Sequence, residues 1–425
     1  MSVTGLLDLF PDTAAVEGGQ LLVGGVTAPE LAERFGTPLV VYCEQTLRSR
    51  ARVYREAAPE AVVVYGMKAF ANLAVLRLLV AEGLGADVST LGELEFALAA
   101  GVPPERLVVH GNNKSDEELE HAADARAWLV VLDAQDEIER ALSAGVQRVL
   151  VRVTPGIEAE THEAIRTAHY GSKFGLPRDQ ALDAIGRAGD AGLDVEGLHV
   201  HVGSQLLGLQ AALMTVDWLA AFAAECRTEL GWTPAVLDLG GGLGIRYVEE
   251  DQPPAIEQFV SVLLDRVEQA LALQELPRPK IVLEPGRSIV GPAACTLYRV
   301  GTIKRASEAR TYVAIDGGMS DNPRPQLYGA RLSALLANRA DERPAGSYAV
   351  CGKHCEAGDV LIDGVDLPEP RRGDLLAVPA TGAYTLAMSS SYNGVPRPAA
   401  VLVGGGEARV IRRRETVEDL LRYEA

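Results

Sequence analysis

Aromatic residues make up only 5% of this 425-residue sequence, cysteine occurs five times, and the 40 Lys and Arg are outnumbered by 58 Asp and Glu. Scarce aromatics beside a 48% hydrophobic share mean that the apolar mass is Ala, Val and Leu, which suits helices layered on parallel strands better than a sandwich. Five scattered cysteines (Cys43, Cys226, Cys295, Cys351, Cys355) cannot build a disulfide framework, and without paired CxxC knuckles no metal site is expected. A net charge of −18 repels phosphate backbones and anionic lipid, which argues against nucleic-acid and membrane partners. The N-terminal stretch has no basic region leading into a long apolar run, and no later segment has the uninterrupted apolar length of a membrane helix. The expectation is a cytoplasmic protein with reduced thiols that acts on a small molecule.

Short Val/Ile/Leu runs alternate with segments of helical period between about residues 40 and 290. The runs are 61–65, 85–88, 107–110, 129–132, 149–153, 198–202, 236–239 and 281–283. Between them lie amphipathic stretches at 72–82, 91–100, 115–123 and 255–273, and Ser115 with Glu118 forms a capping-box pattern. Eight such units over about 250 residues match a (β/α)8 TIM-like barrel, although a doubly wound sheet gives a similar string. After Pro292 the runs 311–315, 347–350, 375–378 and 399–403 are separated by Gly/Pro/Asp turns, which reads as a mainly-β domain. The run 20–26 is expected to join its sheet. The organisation expected is an α/β barrel over 38–290 with a β domain formed by 1–37 and 291–425.

Barrel chemistry gathers just past the C-terminal ends of the strands. There the sequence places Lys68 after the first run, Asp87 on the second, Arg152 on the fifth, His199 and His201 on the sixth, and Glu284 with Arg287 after the eighth. Gly240-Gly241-Gly242-Leu243-Gly244 follows the seventh, and bare amides in such a turn can wrap a phosphate. Ile245 stands where a dinucleotide fingerprint needs its third glycine, and no GxxxxGK[ST] occurs. A phosphate cradle on the last two barrel loops, a lysine that can form a Schiff base, a carboxylate to keep a ring nitrogen protonated and a histidine to stack on the ring are the needs of pyridoxal 5′-phosphate (PLP).

With these motifs the chain resembles the PLP-dependent decarboxylases of the alanine racemase-like barrel type, and among them the branch that cleaves meso-diaminopimelate. The resemblance rests on Thr37-Pro38-Leu39-Val40-Val41-Tyr42, Tyr65-Gly66-Met67-Lys68-Ala69, Gly92-Glu93-Leu94, Lys173-Phe174-Gly175, His199-Val200-His201-Val202-Gly203-Ser204-Gln205, the glycine run and Glu284-Pro285-Gly286-Arg287. It continues through Asp316-Gly317-Gly318-Met319-Ser320-Asp321, Cys355-Glu356-Ala357-Gly358-Asp359 and Gly382-Ala383-Tyr384. It departs at Phe70, where many relatives carry Asn, and at Ala357, where many carry Ser.

The resemblance implies that Lys68 tethers the cofactor, His201 stacks on its ring and Glu284 pairs with the ring nitrogen. Ser204, Gly240, Gly241, Gly242 and Arg287 would bind the phosphate, with Asp87, Arg152, Pro285, Gly286 and Tyr384 also on the cofactor side. Arg287 and Arg324 would hold substrate carboxylate, Tyr328, Glu356 and Tyr384 would line the pocket, and Cys355 would donate the proton that replaces the carboxylate. It also implies a homodimer whose active site is completed across the interface. The activity implied is decarboxylation of meso-diaminopimelate to L-lysine. The alternative is another amino acid such as ornithine or arginine.

Overall fold

The computed structural model describes residues 3–157 and 171–424. The chain divides into two compact units, Arg50–Gly244 with Pro253–Ser288, and Met1–Ser49 with Ile245–Gln252 and Ile289–Ala425. The first boundary falls later than residue 38 because Leu39–Cys43 belongs, by its pairing, to a sheet of the β unit.

In chain order the strands of the N-terminal segment are β1 (Ala15–Glu17), β2 (Gln20–Val23), β3 (Val26–Thr27) and β4 (Leu39–Cys43). The barrel strands are β5 (Val62–Gly66), β6 (Gly85–Val88), β7 (Leu107–Val109), β8 (Leu129–Leu132), β9 (Arg148–Arg152), β10 (Asp194–His199), β11 (Val236–Asp238) and β12 (Lys280–Leu283). They close a parallel barrel in sequence order, with β12 pairing back to β5. All eight expected runs are therefore strands. The sixth starts earlier than its apolar run, because Asp194 and Glu196 at its open end hide the pattern, and it ends at His199. The strands are nearly uniformly apolar because a parallel barrel buries both faces, and Val64, Val108, Leu129, Val131, Leu150, Val236 and Val282 pack together as its core.

The helices return the chain from each strand to the next. Helix Asp116–Asp124 opens with the expected reciprocal cap: Glu118 N–H donates to Ser115 Oγ at 3.1 Å, and Ser115 N–H donates to the Glu118 carboxylate at 2.9 Å. Helices Leu73–Ala81, Leu91–Ala100 and Ile256–Leu273 start at their expected sites, the first two capped by the side chains of Asn72 and Thr90.

In the other unit, β13 (Ala294–Arg305), β14 (Thr311–Ile315), β15 (Leu335–Leu336), β16 (Gly346–Cys351), β17 (Val360–Leu367), β18 (Leu375–Val378), β19 (Ala399–Gly404) and β20 (Glu407–Arg412) join β4 in a nine-stranded sheet. The N-terminal segment does enter the β domain, but through β4, which pairs antiparallel with β13 and parallel with β19. The run 20–26 instead forms a small separate sheet with Ala15–Glu17, because Gly24 and Gly25 turn it back on itself as the β2–β3 hairpin. β4 takes the central place because Leu39–Cys43 is buried throughout, whereas β2 alternates buried and half-buried positions.

Candidate active site

The barrel's C-terminal rim holds a group of ionisable residues that its apolar walls isolate from water. Lys68 lies in the short 3-10 turn Met67–Ala69 directly after β5. Its side chain is 47% exposed while Met67 and Ala69 are fully buried, so the amine stands open above the barrel. Lys68 Nζ is 4.0 Å from Asp87 Oδ2, and Asp87 is itself 2% exposed on β6.

Beneath them Glu284, the residue after β12, is 6% exposed and has histidines on two sides. His110 Nε2 lies 2.6 Å from Oε1, and His199 Nε2 lies 3.5 Å from Oε2. The two imidazoles meet edge to face at 4.6 Å. Burial would push the Glu284 carboxyl up, but the histidines outweigh it and hold the group well below the usual carboxylate range. With Glu284 ionised, the short contact makes His110 Nε2 the donor. The neighbouring carboxyls go the other way. Burial, reinforced by the charge on Glu284, raises both Asp87 and Asp238. One carboxylate is thus kept charged among acids pushed toward neutrality, and separation of this kind assigns acid and base roles in catalytic sites.

His201, just beyond β10, is held neutral by burial and by the nearby charges of Lys68 and Arg152. Its hydrogen bonding agrees, since Nδ1 accepts the Gly241 N–H at 3.3 Å. The glycine run is pressed against backbone: a Cβ on Gly241 would stand 2.3 Å from the Glu284 carbonyl oxygen, so no side chain fits there. Gly240 N–H donates to Asp238 Oδ1 at 2.9 Å, which pins the turn to the end of β11. Arg287 Nη2 donates to Ser204 Oγ at 2.9 Å, bringing a guanidinium and a hydroxyl together from two loops of the same rim. Arg152, 8% exposed at the end of β9, binds Asp133 at 3.2 Å.

The barrel therefore gathers Lys68, Asp87, Arg152, His201, Ser204, Gly240, Gly241, Gly242, Glu284, Pro285, Gly286 and Arg287 on one rim. Arg324, Tyr328, Cys355, Glu356 and Tyr384 belong to the β unit. There the guanidinium of buried Arg324 lies 3.9 Å from the Tyr247 ring centroid, and Tyr328 Oη is 3.8 Å from Met388 Sδ. Cys355 is exposed, with its backbone N–H on Asn393 Oδ1 at 3.0 Å, and Glu356 Oε2 lies 3.5 Å from the Tyr392 hydroxyl. Tyr384 has a φ of +56°, in the left-handed region.

Four site residues escaped the sequence reading of roles: His110, Asp133, His199 and Asp238. The signal was present, because each ends or directly follows a barrel strand, where function concentrates. His110, His199, Asp238 and Glu284 present ligand atoms within 4.8 Å of one another.

A barrel with an open lysine directly after its first strand and a buried, ionised carboxylate after its eighth has the arrangement of a PLP-binding enzyme. The family described as "Pyridoxal-dependent decarboxylase, pyridoxal binding domain" matches residues 44–291. A diaminopimelate decarboxylase of Actinosynnema pretiosum subsp. auranticum is 46% identical over 422 residues, covering 98% of this chain and 95% of that protein. One from Bacillus subtilis is 42% identical, covering 96% and 95%. The crystal structure of diaminopimelate decarboxylase from M. jannaschii in co-complex with L-lysine superposes with a TM-score of 0.90 at 32% identity, covering 97% of this chain and 98% of that one. The chain belongs to the diaminopimelate decarboxylase family of pyridoxal-dependent decarboxylases. Its cofactor is PLP, and the residues present fit it. Buried Asp87 Oδ1 and His199 Nδ1 have no hydrogen-bond partner among the described residues, which leaves polar groups beside Lys68 and Glu284 for a polar ligand to meet.

Proposed function

We propose that this chain removes the carboxylate from the D-configured carbon of meso-2,6-diaminopimelate, releasing CO2 and L-lysine as the last step of lysine biosynthesis. The observation that carries this reading is likeness to diaminopimelate decarboxylases over 98% of the chain, the barrel and β units alike. Bound through Lys68, PLP supplies an electron sink for the pair left on the α-carbon when CO2 departs.

The residues supply the rest. Lys68, its amine standing open at the barrel mouth, would hold the cofactor there. Glu284, kept ionised, would accept a hydrogen bond from a protonated ring nitrogen. His201, neutral, offers a flat uncharged face for stacking, while Asp87 and Arg152 set the charge beside Lys68. Arg287, Ser204 and the amides of Gly240, Gly241 and Gly242 take the phosphate, with Pro285 and Gly286 shaping that loop. Arg324 binds the distal carboxylate, where a bidentate guanidinium selects a diamino diacid over a diamine. Tyr328 and Tyr384 line the pocket.

The assembly is a cytoplasmic homodimer in which Cys355 of the partner subunit delivers a proton to the face that CO2 vacates and Glu356 of the partner subunit lines the pocket. Exposure of the Cys355 loop in the single chain supports this arrangement. No helix among the described residues is long and apolar enough to cross a membrane.

Purified protein supplied with PLP and meso-diaminopimelate releases equimolar CO2 and L-lysine on this account, and turns over ornithine and arginine far more slowly. Faster turnover of either diamine precursor would overturn the substrate assignment.

A further inference from the structure

The motif Lys173-Phe174-Gly175 has no role in the chemistry above, yet it is built against Arg152. The Arg152 guanidinium carbon lies 4.5 Å from the centroid of the Phe174 ring, and its Nη1 lies 3.2 Å from Asp133 Oδ2. The other oxygen of the same carboxylate accepts the Gly175 N–H at 2.5 Å. Asp133 therefore ties the arginine to the loop that carries the ring. That loop is fastened to the extension of β9 itself: Leu176 N–H donates to Arg152 O at 2.8 Å, Thr154 N–H to Leu176 O at 2.8 Å, and the Thr154 hydroxyl to Phe174 O at 2.7 Å. A guanidinium on a long, rotamer-rich stem is thus fixed by a ring on a loop fastened to its own strand and by a carboxylate just past the end of the neighbouring strand β8.

We propose that Phe174 and Asp133 are positioning residues for Arg152, and that the 173–175 motif serves to aim this cation at the Lys68–Asp87–His201 side of the cofactor. The inference rests on the reading that the barrel rim holds PLP. The arginine's charge is already felt there, since together with burial and Lys68 it holds His201 neutral, and it opposes the effect of burial on Asp87. Half-buried Phe174 contributes its face rather than its bulk, so a change that keeps the volume and removes the ring separates aiming from packing.

The test is a double-mutant cycle on the PLP-loaded enzyme, with Phe174→Leu, Phe174→Tyr, Arg152→Lys and the Phe174→Leu/Arg152→Lys pair. Two readouts are taken: kcat/KM for meso-diaminopimelate, and the visible circular dichroism of the bound cofactor. Phe174→Leu is expected to lower kcat/KM by about tenfold, the scale of a desolvated cation–ring contact, and to change the dichroic band, while Phe174→Tyr restores both. The paired variant is expected to be no worse than Arg152→Lys alone. Asp133→Asn, which keeps the shape and weakens the hold on Arg152, is expected to alter the same band and stands in if Phe174→Leu does not fold.

Wild-type kinetics and dichroism in Phe174→Leu would overturn the proposal, as would a paired variant whose loss is the product of the single losses. If the wild-type protein binds PLP but leaves meso-diaminopimelate intact, the substrate reading fails and the dichroic cycle still decides the role of Phe174.

Discussion

Replacing Gly241 by Ala tests whether the glycine run exists to let two loops close on each other. The added Cβ would meet the Glu284 carbonyl oxygen at 2.3 Å and its carbonyl carbon at 3.1 Å. Both atoms are backbone, so no side chain can swing aside, and the loop after β12 must retreat by about 1 Å to restore ordinary contact. Overpacking of this kind costs about 1–3 kcal/mol of stability. The retreat also carries the Glu284 carboxylate away from His110, whose 2.6 Å hydrogen bond weakens steeply with stretching and bending. A displacement of about 1 Å at a reacting centre costs on the order of a hundredfold in rate. The assay is kcat/KM for meso-diaminopimelate beside a urea denaturation curve. Gly189→Ala is the control, in helix Arg178–Ala191 with nothing within 4 Å of its added Cβ, and it stabilises by up to about 1 kcal/mol. Gly241→Ala with wild-type kcat/KM and unchanged stability would refute the reasoning.

Two further perturbations address buried charge. Lys114 and Glu137 form an ion pair at 2.9 Å with both side chains nearly inaccessible, and burial pulls the Lys114 amine down against the pull of Glu137. Lys114→Met strands the Glu137 carboxylate and should destabilise the barrel by about 3–5 kcal/mol. A loss under about 1 kcal/mol in chemical denaturation would show that the pair is not isolated from water. Asp321 is pushed up to about 7, first by burial and further by Asp316 and Asp359. The folded chain therefore keeps a proton that the unfolded chain releases near pH 4, so stability falls as pH rises toward 7 and then levels, by up to about 4 kcal/mol. Asp321→Asn can still accept from Tyr298 Oη and Gly318 N–H, and it should gain on the parent between pH 5 and pH 8. Parallel stability–pH curves would contradict that assignment.

The barrel was legible because its strands are apolar on both faces and stand out as uninterrupted runs, Leu129–Leu132 being the plainest. The β unit was harder. Leu39–Cys43 has the same composition as a barrel strand, and only its pairing with β13 and β19 reveals where it belongs. Run 20–26 was misassigned because a two-glycine hairpin and a continuous strand differ by little in hydrophobic pattern. Within the site, Lys68, Glu284 and Arg287 were readable from their places after strands, and Asp87 from its place near the end of one. His110 and Asp238 were not, because a polar residue at the end of an apolar run looks like a strand terminus until its partner, Glu284, arrives from a distant segment. The division of labour among three buried carboxyls is a property of that convergence, and no local window of sequence contains it.

The central claim is that the cofactor is tethered to one lysine at the mouth of the barrel. Borohydride reduction of the PLP-loaded protein, followed by proteolysis and mass spectrometry, should place the reduced pyridoxyl group on the peptide carrying Lys68, and Lys68→Ala should abolish the label and nearly all turnover. Labelling at a different lysine, or an unlabelled protein that still decarboxylates, would contradict it.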